Sequence, residues 1–182
     1  RIFVSVGDGN IISGIHKGLK DLFALGWIDK IPKLIGVQAA GAAACYNAWR
    51  NHTEKITPVE AQTIADSISV GLPRDGVRAV RAAAHTNGAF LTVTDDEIME
   101  AMRVLARQAA VFAEPAGAAA YAGLVKAVQQ GIAQPQETIV VIITGNGLKD
   151  IRSAIKAAGQ VQYIEPSLDD VKRLWKQVMG RA

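Results

Sequence analysis

Apolar and polar positions along this chain change period several times, and each change marks an element. Residues 2–6, Ile-Phe-Val-Ser-Val, form a short apolar run closed by Gly7, which predicts a buried strand. From Ile11 the spacing becomes helical: Ile11, Ile15, Leu19, Leu22 and Phe23 share one face, and Gly26 is a natural stop. Leu34-Ile35-Gly36-Val37 reads as a second strand. Strand, glycine loop, helix and strand in that order are the signature of a parallel crossover.

The alternation continues downstream. A helix is predicted from Asp75 to about Ala84, and a strand over Ala89–Val93. Thr94-Asp95-Asp96-Glu97 has the form of a capping box, in which the Thr94 hydroxyl accepts from the Glu97 amide and the Glu97 carboxylate reaches back. The helix it opens sets Ile98, Met102 and Leu105 on one face. Pro115 suits a first helical position, and the Ala-rich stretch behind it is predicted helical to about Gln130. Thr138–Ile143 is β-branched throughout and too apolar for a wet face, so it is expected at the centre of a parallel sheet. Gly145 and Gly147 end it, and Ser167 is expected to cap a last helix to about Met179. No repeat, low-complexity segment or long linker intervenes. The expectation for residues 1–182 is one α/β domain in three layers around a parallel sheet.

Composition alters this picture little. Of the 182 residues 49% are hydrophobic and 20% charged, the balance of a soluble globular domain with a sizeable core. The formal net charge is +3, and the densest basic group, Lys172, Arg173 and Lys176, falls on a predicted helix. That group reads as a solvated face rather than a nucleic-acid patch. No apolar run approaches the roughly 20 residues that span a bilayer, and no signal segment is apparent. The single cysteine, Cys45, sits in Ala42-Ala43-Ala44-Cys45 and reads as a small packed residue. It has no internal partner, which fits a reducing compartment and makes the cytoplasm the expected location. His16, His52 and His85 are scattered without metal spacing, so no metal is expected. The opening is more informative. Arg1-Ile2-Phe3 begins without Met and already inside a strand, which is expected of a fragment.

Two glycine loops carry the candidate chemistry, because each follows an apolar strand and ligands of parallel sheets bind beyond the strands' carboxyl ends. The first is Val6-Gly7-Asp8-Gly9-Asn10-Ile11-Ile12-Ser13-Gly14. Its glycines admit close backbone approach, and the helix behind it aims free amides and the positive dipole end at the same point, which suits a phosphate. A tight turn without ligand would use the same residues. The dinucleotide fingerprint needs a third glycine where this chain has Ile12, and an acid where it has Gln38, and the Walker spacing is absent. The second loop, Thr144-Gly145-Asn146-Gly147-Leu148-Lys149-Asp150, places an uncharged hydroxyl at a strand tip. Alone, a capped turn explains it better.

Taken with Ala65-Asp66-Ser67-Ile68-Ser69-Val70-Gly71-Leu72-Pro73-Arg74-Asp75 and Ala113-Glu114-Pro115-Ala116-Gly117-Ala118-Ala119, the two loops resemble threonine synthase, in order and at family-like spacing over roughly residues 1–160. The superfamily includes tryptophan synthase β and threonine dehydratase. The resemblance implies the three-layer large domain of a fold type II pyridoxal-phosphate enzyme, in its C-terminal portion. By motif, Gly7, Asp8, Gly9, Asn10 and Ile11 would form the cup for the cofactor's phosphate. Thr144 would face the pyridine nitrogen, and a neutral hydroxyl there leaves that nitrogen less protonated than a carboxylate would. Many relatives carry Asn where this chain has Asp8. A carboxylate facing a phosphate is repelled, so Asp8 is expected to turn away or to cap the helix.

The implied reaction converts O-phosphohomoserine and water to threonine and phosphate, in a homodimer. The lysine that joins the cofactor is implied to lie upstream, so no catalytic residue is expected here and the chain alone is expected to be inactive. Lys17 reads as solvated, and Lys149 is the second candidate for that lysine. Glu114 lies in a motif near the cofactor, but a helix-start acid explains it equally. Arg74 could meet a phosphate or carboxylate, or form a structural ion pair. Alternative readings are a threonine or serine dehydratase, a cysteate synthase, or a non-catalytic domain for phosphate-bearing ligands.

Overall fold

Four parallel strands carry the fold: β1 (Ile2–Ser5), β2 (Leu34–Ala39), β3 (Ala89–Val93) and β4 (Val140–Val141), in the spatial order β3-β2-β1-β4. The computed structural model describes residues 1–159 and 162–179. Ile2 of β1 pairs with Leu34 on one side and Val140 on the other, and Ile35 of β2 pairs with Ala89 of β3. Successive side chains leave a strand on opposite faces, and both faces are apolar. Val4, Leu34 and Phe90 pack against α1 (Asn10–Ala24), α2 (Ala44–Arg50) and α3 (Gly76–His85). Phe3, Ile35, Val37 and Leu91 pack against α4 (Asp95–Ala109) and α5 (Pro115–Gln129), with Ala157 of α6 (Ile151–Ala158) in the same cluster. The result is the expected three-layer α/β architecture. A last helix, α7, spans Leu168–Met179 and is capped as expected, the Asp170 amide donating to the Ser167 hydroxyl at 3.2 Å.

Local signals translate closely into element ends. The capping box at Thr94 forms in full, with Glu97 N to Thr94 Oγ1 at 3.2 Å and Thr94 N to Glu97 Oε2 at 2.6 Å. Pro115 takes the first turn of α5, where its missing amide costs nothing. Gly26 adopts φ +72° behind α1, and the Trp27 amide donates back to the Leu22 carbonyl at 2.9 Å.

One placement is corrected. Thr138–Ile143 was expected at the sheet centre, but only Val140–Val141 is strand, and among the described residues it is an edge. Its ladder runs from Val140 N–Arg1 O (2.9 Å) to Ile142 N–Phe3 O (3.0 Å), all against β1. β-branched composition reports a liking for pleated, apolar surroundings rather than a rank within a sheet, and β1 and β2 hold the centre instead. The short helices α2 and α6 also escaped the periodic reading. α2 has no side-chain cap to announce it, and α6 begins directly out of a 3-10 turn, Gly147–Asp150.

Cys45 lies on α2 with no exposed surface, and burial, then the Asp75 and Asp8 carboxylates, push its thiol up to about 12. A thiol held protonated in the fold contributes stability that is complete below its ordinary value of 9.0 and is lost as pH rises toward 12. We expect the native protein to resist alkylation at pH 8 and the denatured chain to react at once, with the urea midpoint falling steadily above pH 9. Fast labelling of native protein would show that the thiol is reachable.

Candidate functional site

β1 and β4 are parallel neighbours, so their carboxyl ends lie side by side and bring the two glycine loops together. A cavity of about 180 Å³ opens there, lined by all six sequence-predicted residues, Gly7, Asp8, Gly9, Asn10, Ile11 and Thr144. Sequence reasoning left unassigned four more lining residues that matter: Ser5, Ser67, Ile68 and Ala116. Ser67, Ile68 and Ala116 stood in quoted motifs without a role. Ser5 carried a signal of its own, as the one polar residue in an apolar strand. Its hydroxyl accepts from the Ala120 amide at 3.0 Å, tying β1 to α5 beneath the cavity.

The first loop is built as an amide cradle. Val6 N still donates to Val37 O at 2.8 Å, but among the described residues the amides from Gly7 to Ile12 find no acceptor. The first helical return is Ser13 N to Gly9 O at 3.1 Å, and no side chain caps α1. Helix starts leave such donors unsatisfied, with the positive dipole end behind them. Gly9, as N-cap, holds φ +93°, a left-handed conformation that side chains resist. A Cβ there would come within 2.9 Å of the Asp75 carbonyl oxygen and of Ala79 Cβ. The space Gly9 keeps clear is thus toward α3, not toward a ligand. Gly7 faces the other wall, where a Cβ would stand 3.0 Å from Ile68 Cα and 3.1 Å from Ser67 O.

Asp8 does turn away, although it does not cap α1. Its carboxylate accepts from the Arg74 amide at 3.1 Å and its carbonyl from the Asp75 amide at 2.8 Å, so it bolts the loop to the start of α3. Asp8 therefore presents its own backbone amide, with the charge engaged elsewhere. Arg74 is exposed, and its guanidinium forms no ion pair among the described residues.

On the second loop the Thr144 hydroxyl has no partner among the described residues and faces open space. Asn146 supplies the capped turn, its side chain accepting from Leu148 N at 2.9 Å. Gly145 makes room for Glu114: a Cβ on Gly145 would fall 1.8 Å from Glu114 Oε1, while Glu114 N donates to Gly145 O at 2.9 Å. Glu114 is the N-cap residue of α5, yet its side chain does not cap. The carboxylate, 7% exposed, instead meets Lys149 Nζ at 3.4 Å. Lys149 Nζ also donates to Ser67 Oγ at 2.6 Å. Lys17 is exposed and ion-paired to Asp21, well along α1. His16 and His85, distant in sequence, place their rings 5.7 Å apart on α1 and α3, but the described residues hold no cluster of three metal-ligating side chains. The acid position of a dinucleotide site is taken by Gln38, fully buried, whose Oε1 accepts from Tyr46 N at 2.9 Å and whose Nε2 donates to Val6 O at 3.4 Å. It bolts β1, β2 and α2 together, and nothing is left to hold a ribose.

An amide cradle beside an uncharged hydroxyl, at the carboxyl ends of a parallel sheet, makes this an α/β protein whose site chemistry suits a small phosphate-bearing ligand. The chain belongs to the pyridoxal-phosphate dependent enzyme family, whose sequence profile matches residues 1–145. Curated relatives are threonine synthases: that of Methanocaldococcus jannaschii is 40% identical over 98% of this chain, and that of Methanosarcina acetivorans 34% over 100%. The threonine synthase of Mycobacterium bovis is 41% identical over 83% of the chain. This chain spans less than half the length of these relatives, 44%, 44% and 40%. Among solved structures, threonine deaminase isoform 2 of Solanum lycopersicum superimposes with TM-score 0.68 at 23% identity, over 87% of this chain and 44% of that one. Maize serine racemase gives TM-score 0.63 at 21% identity, over 100% of this chain and 48% of that one. These two share the fold. Pyridoxal phosphate fits the residues present: unpaired amides suit its phosphate, and the free Thr144 hydroxyl suits a ring nitrogen.

Proposed function

We propose that this chain is the phosphate-cup part of a threonine synthase, acting on O-phosphohomoserine and water to give threonine and phosphate. The observation that carries the reading is the meeting of Gly7–Ile11 and Thr144 in one cavity, in a chain whose curated relatives are threonine synthases. When bound, pyridoxal phosphate supplies an electron sink for bond changes at the amino acid's carbons. The amides of Gly7, Asp8, Gly9, Asn10 and Ile11 hold the phosphate with the dipole of α1 behind them. The Thr144 hydroxyl hydrogen-bonds the ring nitrogen without charge, which leaves that nitrogen largely unprotonated.

Among the described residues no lysine lines the cavity, and Lys149 is held by Ser67 and Glu114. On this reading the lysine that joins the cofactor comes from sequence outside these residues, and the chain by itself does not turn over substrate. The test is an assay of the full-length, cofactor-loaded protein against O-phosphohomoserine, serine, threonine and O-phosphoserine. Threonine and phosphate should appear in equal amounts from O-phosphohomoserine alone. Ammonia from serine or threonine would identify a dehydratase instead, and cysteate from O-phosphoserine with sulfite a cysteate synthase.

A further inference from the structure

The cavity takes a phosphate on the reading above, yet among the described residues that line it none is a cation and one, Asp8, is an acid. One positive side chain reaches it through a relay. Lys149 Nζ donates to Ser67 Oγ at 2.6 Å, and Ser67 lines the cavity beside Gly7. An ammonium has three protons to give and no lone pair, so Ser67 Oγ must be the acceptor. The hydroxyl's own proton then has to go elsewhere, and among the described residues it meets no acceptor. A hydroxyl that accepts from a cation is polarised and donates more strongly. Lys149 is kept in place by Glu114, whose carboxylate is 7% exposed and is itself fitted against Gly145.

We propose that Ser67 is an oxyanion-binding residue of this cavity, and that Lys149, anchored on Glu114, is the positioning residue that turns the Ser67 hydroxyl toward the ligand. The inference rests on the proposed phosphate-bearing ligand, and it adds a donor from a segment remote from the amide cup. The arrangement carries positive charge toward the anion without placing a second reactive amine in the cavity, where it would compete for the cofactor's aldehyde. The oxyanion is either the cofactor's phosphate or an anionic group of the amino-acid substrate.

The experiment uses the full-length protein and its Ser67→Ala, Lys149→Met, Lys149→Arg and Ser67→Ala/Lys149→Met variants, measuring affinity for pyridoxal phosphate, phosphate-free pyridoxal and inorganic phosphate in the cofactor-free form and for O-phosphohomoserine in the cofactor-loaded form. Ser67→Ala and Lys149→Met should each weaken one phosphate-bearing ligand roughly tenfold, the usual scale for a charge-assisted hydrogen bond. The double variant should be no weaker than either single one, because both act on one donor. Lys149→Arg should recover most of the loss. Weakened pyridoxal phosphate with unchanged pyridoxal assigns the donor to the cofactor, and weakened O-phosphohomoserine alone assigns it to the substrate. Additive losses, an equal loss for pyridoxal, or a Lys149→Met effect that Ser67→Ala lacks would each overturn the proposal. Should the unaltered protein fail to bind pyridoxal phosphate, the proposed function falls, while inorganic phosphate still tests Ser67 by the same comparison.

Discussion

Gly9→Val should abolish useful cofactor binding while leaving most of the sheet intact. Two costs combine at this position. The left-handed φ of +93° penalises a side chain by about 1–2 kcal/mol. The new carbons would also drive into the Asp75 carbonyl oxygen and Ala79 Cβ, both 2.9 Å from the Cβ position, at about 1–3 kcal/mol for an overpacked site. Together they displace the N-cap that aligns the α1 amides. Titration with pyridoxal phosphate, followed by absorbance, should show affinity down by as much as roughly 30- to 4000-fold, at about tenfold per 1.4 kcal/mol. Gly14→Ala is the matched control, because a Cβ there meets nothing within 4 Å. In a helix interior it should stabilise by about 0.5–1 kcal/mol without touching affinity. Equal effects of the two substitutions would remove Gly9 from the site.

Thr144→Asp should change the chemistry rather than the affinity. A carboxylate within reach of the ring nitrogen favours its protonated form and raises the nitrogen's pKa by about 1–3 units. The absorption spectrum of the bound cofactor should therefore shift and keep its shifted form to higher pH. Turnover should fall roughly 10- to 1000-fold, in line with the altered protonation ratio. Thr144→Ser keeps an uncharged hydroxyl on a loop whose backbone is fixed by Gly145 O accepting from Glu114 N, and should cost little. Identical spectra for the Ser and Asp variants would separate Thr144 from the ring nitrogen.

What could be read from residues alone was mostly what is local. The box at Thr94, the proline opening α5 and the run at Ala89–Val93 each encode their element within a few positions, and each appears at its place. The strand, glycine loop and helix start beside the cavity were legible for the same reason, since they are consecutive. Their internal logic was not. Gly9 looked like clearance for a ligand and is clearance for α3, because the partner is Asp75, far along the chain. Asp8 was expected to turn away or to cap the helix, and which of the two depended on Arg74 and Asp75, to which it is bolted. The rank of β4 in the sheet, the contact between Lys149 and Ser67, and the burial of Glu114 beside Gly145 are likewise products of tertiary pairing, on which spacing is silent.

The pairing of β1 with β4 also constrains when the site can come into being. One wall of the cavity follows β1 and the other follows β4, with 132 residues (144 − 11 − 1) of the chain between them. Closing so long a loop is entropically slow and is rewarded only when both strands have docked. During synthesis the Gly7–Ile11 loop leaves the ribosome 133 residues (144 − 11) ahead of Thr144 and cannot meet it until that stretch has emerged. Acquisition of ligand affinity should therefore be a late event in folding, arriving with the last strand rather than growing with chain length. A bound phosphate would in turn act as a latch on that final step, slowing departure of β4 more than fraying of any helix.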